Sequence, residues 1–278
     1  MKTTDFSFHL TNFLTTYMSG QRNASINTIK NYRDAFKLFL IFCKEEKKLL
    51  PEKLTISKIT SQLIQDYYSW LQTSRGCSIN SRNHRRTALN SFFGYLQIEA
   101  PEHMFLCQKI LAIPKKKSPK TVVGFLTPQA MTDLLGMPNQ LNKAERKELV
   151  ILTLLYDTGA RVSELCRIKV RDIRLEAPAI ITLTGKGNKM RHVPIMKNTV
   201  MLLQQYLSDI GYAELRSSDY PLFINCHNTS YTRKGISYII SKYEKRANEQ
   251  SIHLADFKIT PHIFRHSKAM HLYQAGID

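Results

Sequence analysis

At 278 residues with 43% hydrophobic side chains, the chain is longer than a typical single domain and can bury more than one core. Lys and Arg total 40 against 22 Asp and Glu, a formal charge of +18 that argues for a polyanionic partner, nucleic acid first. The amino terminus lacks an apolar signal core, no stretch reaches transmembrane length, and the cysteines (Cys43, Cys77, Cys107, Cys166, Cys226) are scattered, which argues against a secreted disulfide scaffold, a membrane span or a Cys-x-x-Cys zinc site and predicts a cytoplasmic protein.

The first hundred residues read as helices. Between Thr28 and Lys44 the residues Ile29, Tyr32, Phe36, Phe39, Leu40 and Cys43 share one face, and Ser25 or Asn27 would cap the segment. A second helix is predicted over 61–74 through Leu63, Ile64, Tyr67, Tyr68 and Leu71, ending near Gly76. A third runs over about 80–96. Its opening, Ser81-Arg82-Asn83-His84-Arg85-Arg86, is basic, whereas Leu89, Phe92, Phe93 and Leu96 form an apolar stripe, so Arg82, Arg85 and Arg86 are expected to face a polyanion while the rest packs.

Ile113-Pro114-Lys115-Lys116-Lys117-Ser118-Pro119-Lys120 places lysines between prolines, which suits a solvated linker and could also track a phosphate backbone. The expected organisation is a helical domain over 1–100, a basic linker over 101–121 and a second domain over 122–278. The second domain opens with Thr127-Pro128, a helix cap followed by proline at the first helical position. An apolar helix follows over 143–156, closed by Gly159, and a short helix should hold Arg161. Residues 179–184 read as a strand, Gly185-Lys186-Gly187-Asn188 as a turn and 190–195 as its partner; helices resume over 198–210, 233–248 and 261–275. The predicted class is mainly α with a small antiparallel β-sheet.

Phosphoryl transfer puts extra negative charge on non-bridging oxygens, and guanidinium groups answer it because they stay charged and bind oxygens in a planar fork. Arg161 and Arg265 are the candidates. His262, three residues before Arg265, lies on the same helical face and could donate to a phosphate or move a proton; Lys186, at a glycine-flanked turn, could act as a general acid; Glu164, one turn after Arg161, could orient a neighbouring cation. Each alone has a plainer reading: an ion-paired surface arginine, a lysine in a polar turn, a packing histidine. His262 and His266 at i, i+4 would also suit a zinc ion, but the intervening residues bring an arginine and no carboxylate.

The ordered set Ala160-Arg161-Val162-Ser163-Glu164-Leu165, Thr184-Gly185-Lys186-Gly187-Asn188-Lys189 and His262-Ile263-Phe264-Arg265-His266 resembles the tyrosine recombinase (phage integrase) family, close to its Xer-like branch. The resemblance spans nearly the whole chain and implies a helical core-binding (SAM-like) domain followed by a mixed α/β catalytic domain. Arg161 then matches the first catalytic arginine, Glu164 the acidic residue after it, Lys186 the hairpin lysine with Lys189 close by, and His262 and Arg265 the His-x-x-Arg pair. Lys189, Lys115, Lys116, Lys117, Arg82, Arg85 and Arg86 are expected DNA contacts. The implied reaction is site-specific recombination or integration of duplex DNA through a 3′-phosphotyrosyl intermediate, with no metal or other cofactor and with other protomers in a tetrameric synapse.

The family's Leu-Gly-His segment and nucleophilic tyrosine would follow roughly two to three dozen residues after the second arginine, and the sequence ends at Asp278. The expectation is a chain truncated before its nucleophile that binds DNA without cleaving it; Tyr273 lies too near Arg265 and reads as helix packing. The competing expectation is a non-catalytic DNA-binding remnant occupying recombination sites, which a reading frame continuing into the missing motifs would exclude. Ser267-Lys268-Ala269-Met270 inclines the reading towards a mobile-element integrase.

Overall fold

The computed structural model describes residues 3–119, 122–211 and 219–277, and two compact units divide the chain, Met1–Lys120 and Thr121–Asp278. The end of the expected linker (120–121) and Asp278 lie outside the described residues.

The first unit is helical: α1 (Asp5–Asn12), running on as a π-helical stretch (Phe13–Gln21), α2 (Ile26–Lys47), α3 (Ser61–Thr73), α4 (Ile79–Glu99) and α5 (Met104–Leu111). Its starts are set by hydroxyl caps that satisfy otherwise unpaired N–H groups: Ser25 accepts from Thr28 N, Thr60 from Leu63 N and Ser78 from Ser81 N. The core is aromatic. Phe92 takes Phe6, Phe13 and Phe36 edge-on at centroid distances of 5.7, 5.4 and 5.2 Å, the geometry that ring quadrupoles favour. Trp70, buried against Phe42, donates its indole N–H to Glu46 Oε1 at 3.0 Å.

The expected linker over 101–121 is largely ordered in its first half. Residues 104–111 form α5, whose Cys107 and Ile110, with Ile113 just beyond, are buried in the first unit's core. Irregular exposed chain begins only at Pro114. Cys107 and Ile110, three residues apart, share one face of α5, and their burial outweighs the flanking prolines.

The second unit contains α6 (Pro128–Gly136), α7 (Lys143–Asp157), α8 (Val162–Leu165), β1 (Ile173–Arg174), β2 (Ile180–Thr184), β3 (Met190–Pro194), α9 (Lys197–Asp209), α10 (Arg233–Glu249) and α11 (Pro261–Gln274). Leu149, Val150, Ile151, Leu152, Leu154 and Leu155 of α7 are all buried, so this helix is enclosed on every side, packed by α9 and α11 among others. The strands form an antiparallel meander in the order β1-β2-β3, with Ile181 opposite Val193 and Leu183 opposite Arg191. Ile181 and Leu183 point inward; Val193 and Arg191 share that face by the two-residue period of a strand.

Candidate active site

Where α7 ends, Thr158 Oγ1 donates to Leu154 O at 2.6 Å and accepts from Ala160 N at 3.2 Å, and Gly159 turns the chain with φ +55°, a conformation that glycine alone adopts without cost. Arg161 follows as the N-cap residue of α8, in extended conformation with ψ 145°. The expected short helix therefore starts one residue later than the sequence suggested. Because Arg161 stands outside the helix, its side chain projects from the turn and is 53% exposed.

Glu164 is its counterpart, 3% exposed, and its oxygens are fully subscribed. Oε1 accepts from Arg161 Nη1 at 2.9 Å and Arg191 Nη1 at 3.1 Å; Oε2 accepts from Arg161 N at 2.9 Å and Arg191 Nη2 at 2.7 Å. Burial alone would raise the Glu164 carboxyl, but the bonds from Arg191 and from the backbone and side chain of Arg161 win and hold it at about 2. Glu164 is a permanent anion between two cations. Arg191 is the residue that sequence reasoning missed.

Arg265, on α11, is half-buried and donates through Nη1 to the carbonyl oxygen of Gly159. That bond brings it to the turn that carries Arg161. A cavity of about 540 Å³ opens beside this turn, lined in part by Gly159, Arg191, Arg265, Lys268 and Leu272. Lys268 is a further cation on this wall, 12% exposed and 3.5 Å from Asp157 Oδ1. Asp157 Oδ2 is occupied by Met196 N and Thr199 Oγ1, so Lys268 meets a carboxylate committed to joining α7 and α9.

The remaining sequence candidates divide. His262 lies in the first turn of α11, one turn before Arg265, with its ring exposed and making no side-chain hydrogen bond among the described residues. Lys186 opens a 3-10 turn over Lys186–Asn188 in which Gly187 has φ +74° and Asn188 φ +56°; Lys186 and Lys189 are both exposed. His266 turns its Nε2 to Val123 O at 3.1 Å, which takes it away from the zinc pairing considered with His262. Tyr156 is not a free hydroxyl, because its oxygen lies 2.8 Å from His271 Nδ1. Tyr273, two turns along α11 from Arg265, is exposed.

In the first unit the basic cluster at the start of α4 is only partly available. Arg86 is half-buried: its Nε donates to Ile113 O at 2.8 Å and its Nη2 reaches the same carbonyl, so part of its guanidinium closes the end of α5. Carbonyls after a helix's last turn lack intrahelical donors, and a guanidinium supplies them. Arg82 lies over the Tyr68 ring at 4.7 Å and is half-buried, as is Arg85. Lys115, Lys116 and Lys117 are exposed, with Lys116 Nζ 3.0 Å from Gln72 Oε1.

Comparisons with known proteins agree on the lineage. Residues 124–278 match the model of the phage integrase family, and residues 10–99 match that of the phage integrase N-terminal SAM-like domain. Among curated relatives, an integrase/recombinase of Sinorhizobium fredii, y4rC, is 34% identical over 97% of this chain and 80% of its own length. The tyrosine recombinase XerD of Staphylococcus haemolyticus is 30% identical over 93% of this chain and 82% of its own length. Among solved structures, the XerH site-specific recombinase, bound to a palindromic difH substrate after cleavage, shares the fold with a TM-score of 0.69 at 20% identity, covering 94% of this chain and 73% of that one. Among the described residues no helix is long and apolar enough to cross a membrane.

Proposed function

The chain belongs to the phage integrase family, and from that premise we propose that it binds duplex DNA and that its second unit grips the scissile phosphodiester between Arg161 and Arg265. The observation that carries this reading is the bond from Arg265 to Gly159 O, which sets a distant helix against the turn that presents Arg161. Each guanidinium has five N–H donors, and one fixed bond per side chain (Nη1 of Arg161 to Glu164, Nη1 of Arg265 to Gly159) leaves others for the non-bridging oxygens of a phosphate.

In the proposed reaction a tyrosine oxygen attacks phosphorus in line and the bond from phosphorus to the 5′ oxygen breaks. Negative charge gathers on the non-bridging oxygens, where fixed cations lower the barrier. Lys186 delivers a proton to the leaving 5′ oxygen, and His262 donates to the phosphate or relays a proton. The phosphate stays bonded through a 3′-phosphotyrosyl ester, so a second 5′ hydroxyl can reverse the step without ATP. Glu164 keeps Arg161 in place. The assembly that exchanges strands is a tetramer of recombinase protomers on DNA.

The test uses this polypeptide as it stands. A fluorescein-labelled random-sequence duplex should bind at low salt, with a log–log salt slope corresponding to several phosphates. Arg161→Ala and Arg265→Ala should each weaken binding. Absent or salt-independent binding sinks the nucleic-acid reading, and binding unchanged in both variants sinks the placement of the phosphate between Arg161 and Arg265.

A further inference from the structure

We infer that Arg191 is a positioning residue, which ties the hairpin bearing Lys186 to the turn bearing Arg161 by way of the buried Glu164 carboxylate; the inference rests on the roles proposed above for Arg161 and Lys186. Arg191 stands on the inward face of β3, opposite Leu183, and meets Glu164 as a fork on a carboxylate, Nη2 to Oε2 at 2.7 Å and Nη1 to Oε1 at 3.1 Å. This geometry fixes orientation as well as charge. The hairpin then closes on the same group. A side chain begun at Gly185 would place its Cβ 3.2 Å from Glu164 Oε1 and 3.7 Å from Arg191 Nη1, so a larger residue there would press on the ion pair. Gly185 N donates to Lys189 O at 2.8 Å, and the Lys186–Asn188 turn hangs between those two residues.

Arg191 also limits what Glu164 can take from Arg161. A carboxylate with a single guanidinium neighbour draws it into a two-pronged pair. With Arg191 occupying one side of both oxygens, Arg161 keeps a single side-chain bond to Glu164, through Nη1, and its other donors stay outside the pair. Removing Arg191 should let Arg161 fold onto Glu164 and free the hairpin in one step. A lysine at this position keeps the charge and loses the fork, so it should not restore the arrangement.

A double-mutant cycle on the labelled random-sequence duplex at low salt reads this directly. Arg161→Ala is expected to weaken binding about tenfold, the scale of one charged hydrogen-bonding contact. Arg191→Ala and Arg191→Lys should each weaken binding in the same direction, and Arg191→Ala should cost less in the Arg161→Ala background than in the wild type, because the part transmitted through Arg161 is already lost. Additive losses would make Arg191 an independent phosphate ligand and overturn the inference, as would unchanged binding by both Arg191 variants. In parallel, the Arg161 Nε–Hε resonance in nitrogen-15 spectra of the DNA-free protein should move on Arg191→Lys and on Gly185→Ala, and thermal melts report whether each variant is folded. If Arg161→Ala leaves binding untouched, the functional reading fails. The resonance still decides the tether: an unmoved signal in both variants refutes it, even if Arg191→Ala does not fold.

Discussion

Replacing Glu164 with glutamine removes a charge that four donors hold in place and leaves the shape of the side chain nearly unchanged. The carboxyl is held at about 2, against 4.5 for an unperturbed glutamate, a depression equivalent to ~3 kcal/mol of folding free energy near neutral pH. The amide oxygen still accepts hydrogen bonds and the arginines remain partly solvated, so Glu164→Gln is expected to destabilise the second unit by ~2–3 kcal/mol, about 5–10 °C in melting temperature. The sign fixes the pH window. A depressed carboxyl contributes stability that is complete above about 4.5 and disappears as pH falls towards about 2, so the gap between wild type and variant should close over that interval. Glu145, also held at about 2, chiefly by its hydrogen bond from Arg246, is present in both proteins and cancels in the difference. Calorimetry measures the second unit. The fluorescence of Trp70, the only tryptophan, reports the first and should not change. A variant as stable as wild type, or a gap that does not narrow on acidification, would show that Glu164 is not the hub described.

Neutralising Lys115 and Lys117 to glutamine should lower the log–log salt slope of DNA binding by up to about 2 if both meet phosphates, because each contact releases roughly one counterion; an unchanged slope removes the lysine run from the interface. Arg86→Ala should cost ~1–3 kcal/mol of stability in the first unit, since the Ile113 carbonyl loses its donors, and denaturant unfolding followed by Trp70 measures it; a loss confined to DNA affinity would make Arg86 a DNA contact instead. Burial pushes the Cys43 thiol up to about 12 and Cys107 to about 11, whereas Cys226 is exposed. A maleimide at neutral pH should therefore label Cys226 in the native protein and reach Cys43 and Cys107 only on unfolding, with mass spectrometry assigning the sites.

Much of the fold was legible because its signals are local. Ser25 and Thr127 sit where a cap should, and the apolar rows of α2 to α4 and α7 have the helical period. The pairing of Arg161 with Glu164 could also be anticipated, since a three-residue separation puts both in one turn. Arg191 could not be placed this way, because its importance depends on which face of β3 meets α8. The clue was the alternation Met190-Arg191-His192-Val193, which sets an arginine on the same side as an inward-facing valine and so demands a buried anion. The bond from Arg86 to Ile113 O was hidden for a related reason: a basic cluster looks the same whether its cations face solvent or bare carbonyls, and the approach of α5 supplies the carbonyl. The segment 101–113 looked like linker because eight helical residues between prolines give periodicity too little length to register.

Asn83, 6% exposed, donates through Nδ2 to Lys116 O at 2.8 Å and accepts through Oδ1 from Lys116 N at 3.2 Å. Its side-chain amide thus pairs with the backbone of Lys116 as a neighbouring strand would. Folding has already immobilised the chain in the middle of the lysine run, and holding one residue's backbone in a single conformation costs about 1–2 kcal/mol wherever it is done. For a ligand that meets these lysines, that part of the ordering entropy is spent before it arrives. Counterion release and chain ordering leave different marks: the first sets the slope of affinity against salt, the second its height. Loss of the Asn83 amide should therefore lower the whole line without tilting it.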